Sequence, residues 1–296
     1  MPSFSPFFIA RNTTYTDSDF TNYASRVAGL SARGRVEVSK FIKKLKDESL
    51  WDDLTYGVTL RSHQNQGDGT TLYPIKNTPT LNGTLTNDPL WDTNGIRFNG
   101  DNQYITLTNP NQSASLTAYS LIAVFNKTNS DTDQFIFGGQ GAVTTDAGPA
   151  IFAGGTPMQG AGAANLFQDV CATSSQTDVP NPPNGQIGTI NSDGRRYVGG
   201  VTRNYQMMCA TASLANDNLT IEYNLATRQT QSISTDYTTI WNNATTWRIG
   251  TRLNTTYDFL GIISACFYYN VQLTAAQYLT FYNAYKETIG LGLPLP

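Results

Sequence analysis

Charge is scarce in this sequence. Of 296 residues only 14% are Asp, Glu, Lys or Arg, with 19 basic against 22 acidic side chains and a formal net charge of -3. The polar surface therefore rests on Thr, Asn, Ser and Gly, the profile of a turn-rich all-β protein. The same balance excludes the excess of Lys and Arg from which nucleic-acid binders draw most of their affinity, so no nucleic-acid partner is expected. Cysteine and histidine are rarer still. Cys171, Cys209 and Cys266, with His63 as the sole histidine, are too few and too far apart for a disulfide scaffold, a CxxC pair or a His-based zinc site. Spacing leaves open whether Cys171 and Cys209 are bridged. Long apolar runs are missing too: none approaches the ~20 residues that span a bilayer. The opening segment Met1 to Phe8 has no basic region ahead of a continuous apolar stretch, so the sequence reads as neither membrane-bound nor exported through the Sec route.

A hydrophobic fraction of 39% nevertheless supports a real core. The first fifty or so residues carry a helical period. Thr16 with Asp19 resembles a capping box ahead of Phe20, Tyr23, Ala24 and Val27. After a flexible Ser31–Gly34 the spacing predicts a second helix, with Val38, Phe41, Ile42 and Leu45 on one face. Lys40, Lys43, Lys44 and Lys46 then form a solvated face balanced by Asp47, Glu48, Asp52 and Asp53. From about Tyr56 the period changes to alternation, and strands are expected at Tyr56 to Arg61, Gly95 to Phe98, Tyr104 to Leu107, Tyr119 to Phe125, Gln134 to Phe137, Tyr197 to Val201, Leu219 to Leu225, Gln229 to Ser234, Trp247 to Gly250 and Leu260 to Tyr269. No helices intervene, which argues for an all-β sandwich of two antiparallel sheets. Between Gly138 and Gly194 the Gly-, Ala- and Pro-rich composition predicts long surface loops with few strands. The run Leu260 to Tyr269 is apolar on both faces, so one face needs a cover besides the second sheet. A terminal helix is available, since Thr274 with Gln277 forms an S/T-x-x-Q box ahead of Tyr278, Phe281, Tyr282, Tyr285 and Ile289.

The segment Trp91 to Ile105 resembles the early hairpin of LamG-like domains in the concanavalin A-like lectin/glucanase superfamily. Trp247 to Gly250, Phe259 to Asn270 and the closing Leu273 to Tyr278 resemble its last strands and the turn into a short helix. Tyr23 to Val27, Phe41 to Lys46, Leu50 to Leu54 and Leu60 to Asn65 resemble the helical lead-in of LamG-like proteins of tailed-phage structural modules. The resemblance implies a concanavalin A-like jelly roll over residues 56–296, with an N-terminal arm and two short helices over residues 1–55. It also implies no obligatory catalysis and a place on a virion, as a capsid decoration, auxiliary or fibre component. The partners it implies are other virion proteins, such as the major capsid or tail proteins, with the chain itself a homo-oligomer.

Catalysis finds little support in the residues. A retaining glycosidase needs two carboxyl groups ~5 Å apart, yet the only glutamates are Glu37, Glu48, Glu222 and Glu287. Of these, Glu222 alone falls in a strand pattern, without an acidic neighbour two residues away. His63 has no nucleophile elbow near it and reads as a loop hydrogen-bonding group. Calcium is the one cofactor worth considering, because LamG-like relatives hold it with Asp carboxylates and carbonyls at the sandwich rim. Asp131 and Asp133 offer close carboxylates in one loop, and Asp101 sits at the hairpin turn. Trp241 and Tyr257, in or near loops, are candidate platforms for stacking on a cell-surface glycan, the alternative reading being a lectin-like module. Seven N-x-S/T sequons reflect an Asn- and Thr-rich composition.

Phe4, Phe7, Phe8 and Ile9 make the first dozen residues apolar, while Pro2 and Pro6 keep them helix-poor, so this arm is expected to reach a neighbouring subunit. The stripe Val38, Phe41, Ile42 and Leu45 either covers the outer face of the Leu260 to Tyr269 strand within one chain or packs on a partner. Deleting Met1 to Ala10 is expected to leave the β domain folded by circular dichroism and to abolish oligomers in size-exclusion chromatography. Unchanged assembly of the truncated chain would rule the arm out as the attachment element.

Overall fold

The computed structural model describes residues 14–76, 81–110, 117–128, 134–140, 147–153, 165–169, 196–199, 205–216, 218–225, 227–232, 246–251 and 257–296. Their strands form two eight-stranded sheets in which every pair is antiparallel. The first sheet runs β14 (Thr227–Ser232), β13 (Asn218–Tyr223), β12 (Gln206–Ser213), β7 (Ala118–Lys127), β16 (Leu260–Tyr269), β5 (Gly95–Asn99) and β4 (Leu90–Asp92), with β1 (Leu54–Thr59) also paired to β16. The second runs β11 (Arg196–Gly199), β10 (Asn165–Asp169), β9 (Ala147–Ala153), β8 (Gln134–Gln140), β15 (Thr246–Ile249), β6 (Tyr104–Leu107), β3 (Gly83–Thr86) and β2 (Thr71–Leu72). The protein is thus a β-sandwich with a few short helices. Among the described residues no helix is long and apolar enough to cross a membrane.

Strand β16 organises the first sheet. One edge pairs with β7 along its length, while the other pairs first with β5 and then with β1. The change of partner falls at Ser264, where the β7 register shifts. There the Ser264 hydroxyl donates to the Asn94 carbonyl and its own carbonyl accepts the Leu60 N–H at 2.8 Å. Ile263, Cys266 and Tyr268 enter the core between the sheets, whereas Ala265, Phe267 and Tyr269 enter a second core on the outer face. Both cores are aromatic. Between the sheets Trp247 lies 5.1 Å from Tyr268 and 5.4 Å from Phe137.

Three helices fill the outer core. Helix α1 (Ser18–Arg26) is capped by Asp17, whose carboxylate accepts the Phe20 N–H at 2.9 Å. The cap therefore sits one residue later than the Thr16 box expected from the sequence, because a carboxylate is available there to hold the free N–H groups. Helix α2 (Ala32–Asp47) is capped by Ser31, so Ser31–Gly34 opens the helix rather than forming a flexible link. Gly34 is required at that turn, since a Cβ would sit 1.9 Å from the His63 carbonyl oxygen. Helix α3 (Ala275–Lys286) has the expected reciprocal box of Thr274 and Gln277.

Phe41 of α2 packs 5.6 Å from Phe267, and Phe281 of α3 packs 4.9 Å from the same ring. The stripe Val38, Phe41, Ile42 and Leu45 is fully buried against the first sheet of its own chain. Of the two expected arrangements, cover within one chain is the one observed. Phe4, Phe7, Phe8 and Ile9 lie outside the described residues. The lysine face is partly paired: Lys43 meets Asp47, Lys44 meets Glu287, and Lys46 meets Asp17 and Asp19. Such exposed pairs contribute little stability.

The stretch from Gly138 to Gly194 holds more strand than expected, namely β9 and β10. Small side chains there permit close strand approach rather than loops. A Cβ at Gly138 would meet the Pro149 carbonyl oxygen at 2.4 Å. Strand β12 was not foreseen either, because Met and Ala carry no strand signal of their own.

Phe267→Ala should lower the free energy of unfolding by about 3–5 kcal/mol, since the ring is buried on all sides. Leu279→Ala, on the exposed side of α3 at 46% accessibility, should cost about 0.5 kcal/mol or less. Urea denaturation of both variants checks the contrast, and equal losses would contradict the assignment of Phe267 to a closed core.

Candidate functional site

Alternation along the second sheet decides what it shows to solvent. Leu85 of β3, Ile105 and Leu107 of β6, and Trp247 and Ile249 of β15 all enter the inter-sheet core. Their neighbours Thr84, Thr86, Tyr104, Thr106 and Arg248 therefore face outward. Register aligns Thr71, Thr84, Thr106 and Arg248 across four adjacent strands and sets Thr86 beside Tyr104. The Arg248 guanidinium lies 4.2 Å from the Tyr104 ring centroid. Burial lowers its pKa from the ordinary value, opposed by the Tyr104 phenol, yet an arginine keeps its charge. The result is a threonine row ending on a cation that lies over an aromatic ring.

Further along the same face, Phe135 lies on the opposite side of β8 from Ile136, which is in the inter-sheet core. Phe135 and Ala150 form a separate apolar cluster against which Tyr257 packs. The Tyr257 carbonyl accepts the Phe135 N–H at 2.8 Å, and its side chain is half-buried. Tyr257 is thus anchored to the outer face as a partly open ring. Trp241, the other aromatic candidate, lies outside the described residues, as do Asp131, Asp133 and Cys171. Asp101 is exposed on the turn joining β5 and β6, where its N–H donates to Asn99 Oδ1 at 2.9 Å. Among the described residues no three His, Cys, Asp or Glu side chains converge to hold a metal ion.

A second constellation lies on the far side of the sandwich. Glu37 of α2 is only 5% exposed. Its Oε2 accepts from Gln64 Nε2 at 2.6 Å and contacts His63 Nε2 at 2.9 Å, while Oε1 accepts from Arg33 Nε at 2.7 Å. Gln64 also donates to the Ile289 carbonyl at 2.7 Å. Arg61, 3% exposed, donates to the carbonyls of Thr93 at 2.9 Å, Ile289 at 2.7 Å and Leu291 at 3.1 Å. Burial would raise the Glu37 pKa, but hydrogen bonds from His63, Gln64 and Arg33 outweigh it and hold the carboxyl below its ordinary value. His63 is the loop hydrogen-bonding group expected from the sequence. Glu37 was missed as its partner; the Arg33–Glu37 spacing of four residues on a mostly buried face was the available signal. These contacts join α2, the loop after β1 and the C-terminal segment.

No protein-family model matches this chain, and no curated protein matches it either. Solved structures do. The receptor binding domain of botulinum neurotoxin C/D mosaic serotype superposes with a TM-score of 0.53 at 10% identity, covering 78% of this chain and 51% of that one. The botulinum neurotoxin serotype D ligand binding domain, in complex with N-acetylneuraminic acid, gives the same TM-score, identity and coverage. An arabinofuranosidase complexed with arabinofuranosyl-alpha-1,2-xylobiose matches with a TM-score of 0.50 at 14% identity, over 73% of this chain and 50% of that one. The likeness is one of fold. The chain spans about half the length of each of these structures.

Because Glu37 has a depressed pKa in the folded state, its contribution to stability is present above the unfolded value of about 4.3. That contribution is lost as pH falls through the folded value. Glu37→Gln should therefore lower the urea midpoint at neutral pH and flatten the fall in midpoint on acidification below about pH 4.3. A variant that loses stability with acid as steeply as the native chain would show that Glu37 does not carry this dependence.

Proposed function

We propose that the protein is a non-enzymatic glycan-binding module that uses the outer face of its second sheet, and that it acts as a component of a virus particle. The observation that carries the glycan reading is the outward row of Thr84, Thr106 and Arg248 with Tyr104 beneath the guanidinium. Hydroxyls and an aromatic ring suit a sugar's polar edges and apolar face. A fixed guanidinium suits a carboxylate, and one structure of similar fold holds the carboxylated sugar N-acetylneuraminic acid. Against hydrolysis stands the distribution of acids: among the described strands only β4, β10 and β13 carry one, each a single residue, Asp92, Asp169 and Glu222. Asp92 is ion-paired to Arg97, and β4 and β13 lie towards opposite edges of the first sheet. The particle reading is supported by the resemblance of the helical lead-in to phage LamG-like proteins.

A glycan array containing sialylated and neutral oligosaccharides tests the first part. The native chain should bind sialylated members, and Tyr104→Ala and Arg248→Ala should each weaken binding about tenfold or more, that is about 1.4 kcal/mol. Thermal unfolding should confirm that both variants fold. Absence of any glycan signal would overturn the reading. Absence of the chain from purified particles of the source, by mass spectrometry, would overturn the virion part.

A further inference from the structure

The basic residues of this chain are not spread evenly. Six of the 19 lie in the sixteen residues of α2, namely Arg33, Arg35, Lys40, Lys43, Lys44 and Lys46, against the two acids Glu37 and Asp47. Four of the six are ion-paired, namely Arg33, Lys43, Lys44 and Lys46, which leaves Arg35 and Lys40, and the helix borders a cleft of about 660 Å³.

The cleft runs between α2, Thr14 and the C-terminal turn. Ala32, Val36 and Leu291 supply its apolar walls, and Leu291 is 52% exposed although it is a large hydrophobic side chain. Both acids that border it are already neutralised, Glu37 by Arg33 and Glu287 by Lys44. Arg35 and Lys40 also border it and make no ion pair among the described residues. What remains uncompensated in the cleft is therefore positive charge beside apolar surface.

We propose that this cleft docks an acidic segment of a partner protein, with a leucine-like side chain seated against Val36 and Leu291 and its carboxylates facing Arg35 and Lys40. Charge complementarity selects an acidic partner, and the concave apolar walls favour a peptide that inserts side chains over a flat polyanion such as duplex nucleic acid. The volume falls within the usual range of binding clefts, about 300–1,000 Å³. This surface lies on the helical side of the sandwich, away from the outer face of the second sheet, so the inference does not depend on the glycan reading.

Fluorescence anisotropy with the full chain tests it. The probes are a labelled peptide of Leu-Glu-Glu repeats, the same peptide with Lys for Glu, the same peptide with Ser for Leu, and a short DNA duplex. The Leu-Glu-Glu peptide should bind saturably. The Arg35→Glu/Lys40→Glu double variant, or NaCl at about 1 M where the Debye length is about 3 Å, should weaken that binding about tenfold or more. Both substitutions are at the surface, and circular dichroism of the double variant should match the native chain. The proposal fails if that variant binds as well as the native chain, if the Lys peptide or the Ser peptide binds as tightly, or if the duplex outcompetes the acidic peptide. It also fails if binding emerges only after residues 1–13 are removed, which would make the cleft the seat of the chain's own first segment.

Discussion

The structure depends on a sheet that is apolar on both faces. Because β16 sends Cys266 and Tyr268 one way and Phe267 and Tyr269 the other, a two-layer sandwich would leave a row of aromatic rings in water. Strands β7 and β12 share the condition, with Leu121 and Met208 towards the second sheet and Ile122 and Met207 away from it. The cost of exposing such surface, about 25 cal/mol per Å², makes a third layer obligatory. Helices α1, α2 and α3 provide it, drawn from both ends of the chain.

Joining two distant termini over one sheet creates a polar problem, and the loop after β1 solves it. Helix ends and the turn at Ile289–Leu291 leave carbonyls that must be satisfied in a buried place. Arg61 and Gln64 reach them, and Glu37 holds Gln64 and His63 in turn. Tyr23 adds a contact from α1 to the Gln64 carbonyl. One short loop thereby ties both helical ends of the chain to the sheet. Such a network is stable only when every member is paired, which is why its residues are specific rather than merely polar.

The third layer also divides the surface by chemistry. With the first sheet's outer face closed, the outward threonines of β3 and β6 and Arg248 of β15 lie on the outer face of the second sheet. The helical side carries the cleft bordered by Arg35 and Lys40 of α2. The proposed glycan-binding face and the proposed docking cleft therefore lie on opposite sides of one sandwich. The sandwich itself, shared in fold with receptor-binding domains and with a glycosidase at low identity, specifies neither task.

How much was legible follows from which signals are local. Period-two alternation identified β6 and β15, a β-rich apolar run identified β16, and the Thr274–Gln277 box located α3, because side-chain direction and capping depend on residues a few positions apart. The need to cover a second face of β16 could likewise be read from its composition alone. Strands β9 and β12 were hidden because Gly, Ala and Met say little about their neighbours, and their pairing is decided by close contact with strands distant in the chain. The same limit applied to the candidate sites. The sequence by itself determined the all-β core, its helical ends and the scarcity of glutamate. Only tertiary structure could bring Arg248 over Tyr104, residues 144 positions apart by their numbers, or place Glu37 against His63, because strand register and helix docking are long-range events with no signature within a single turn.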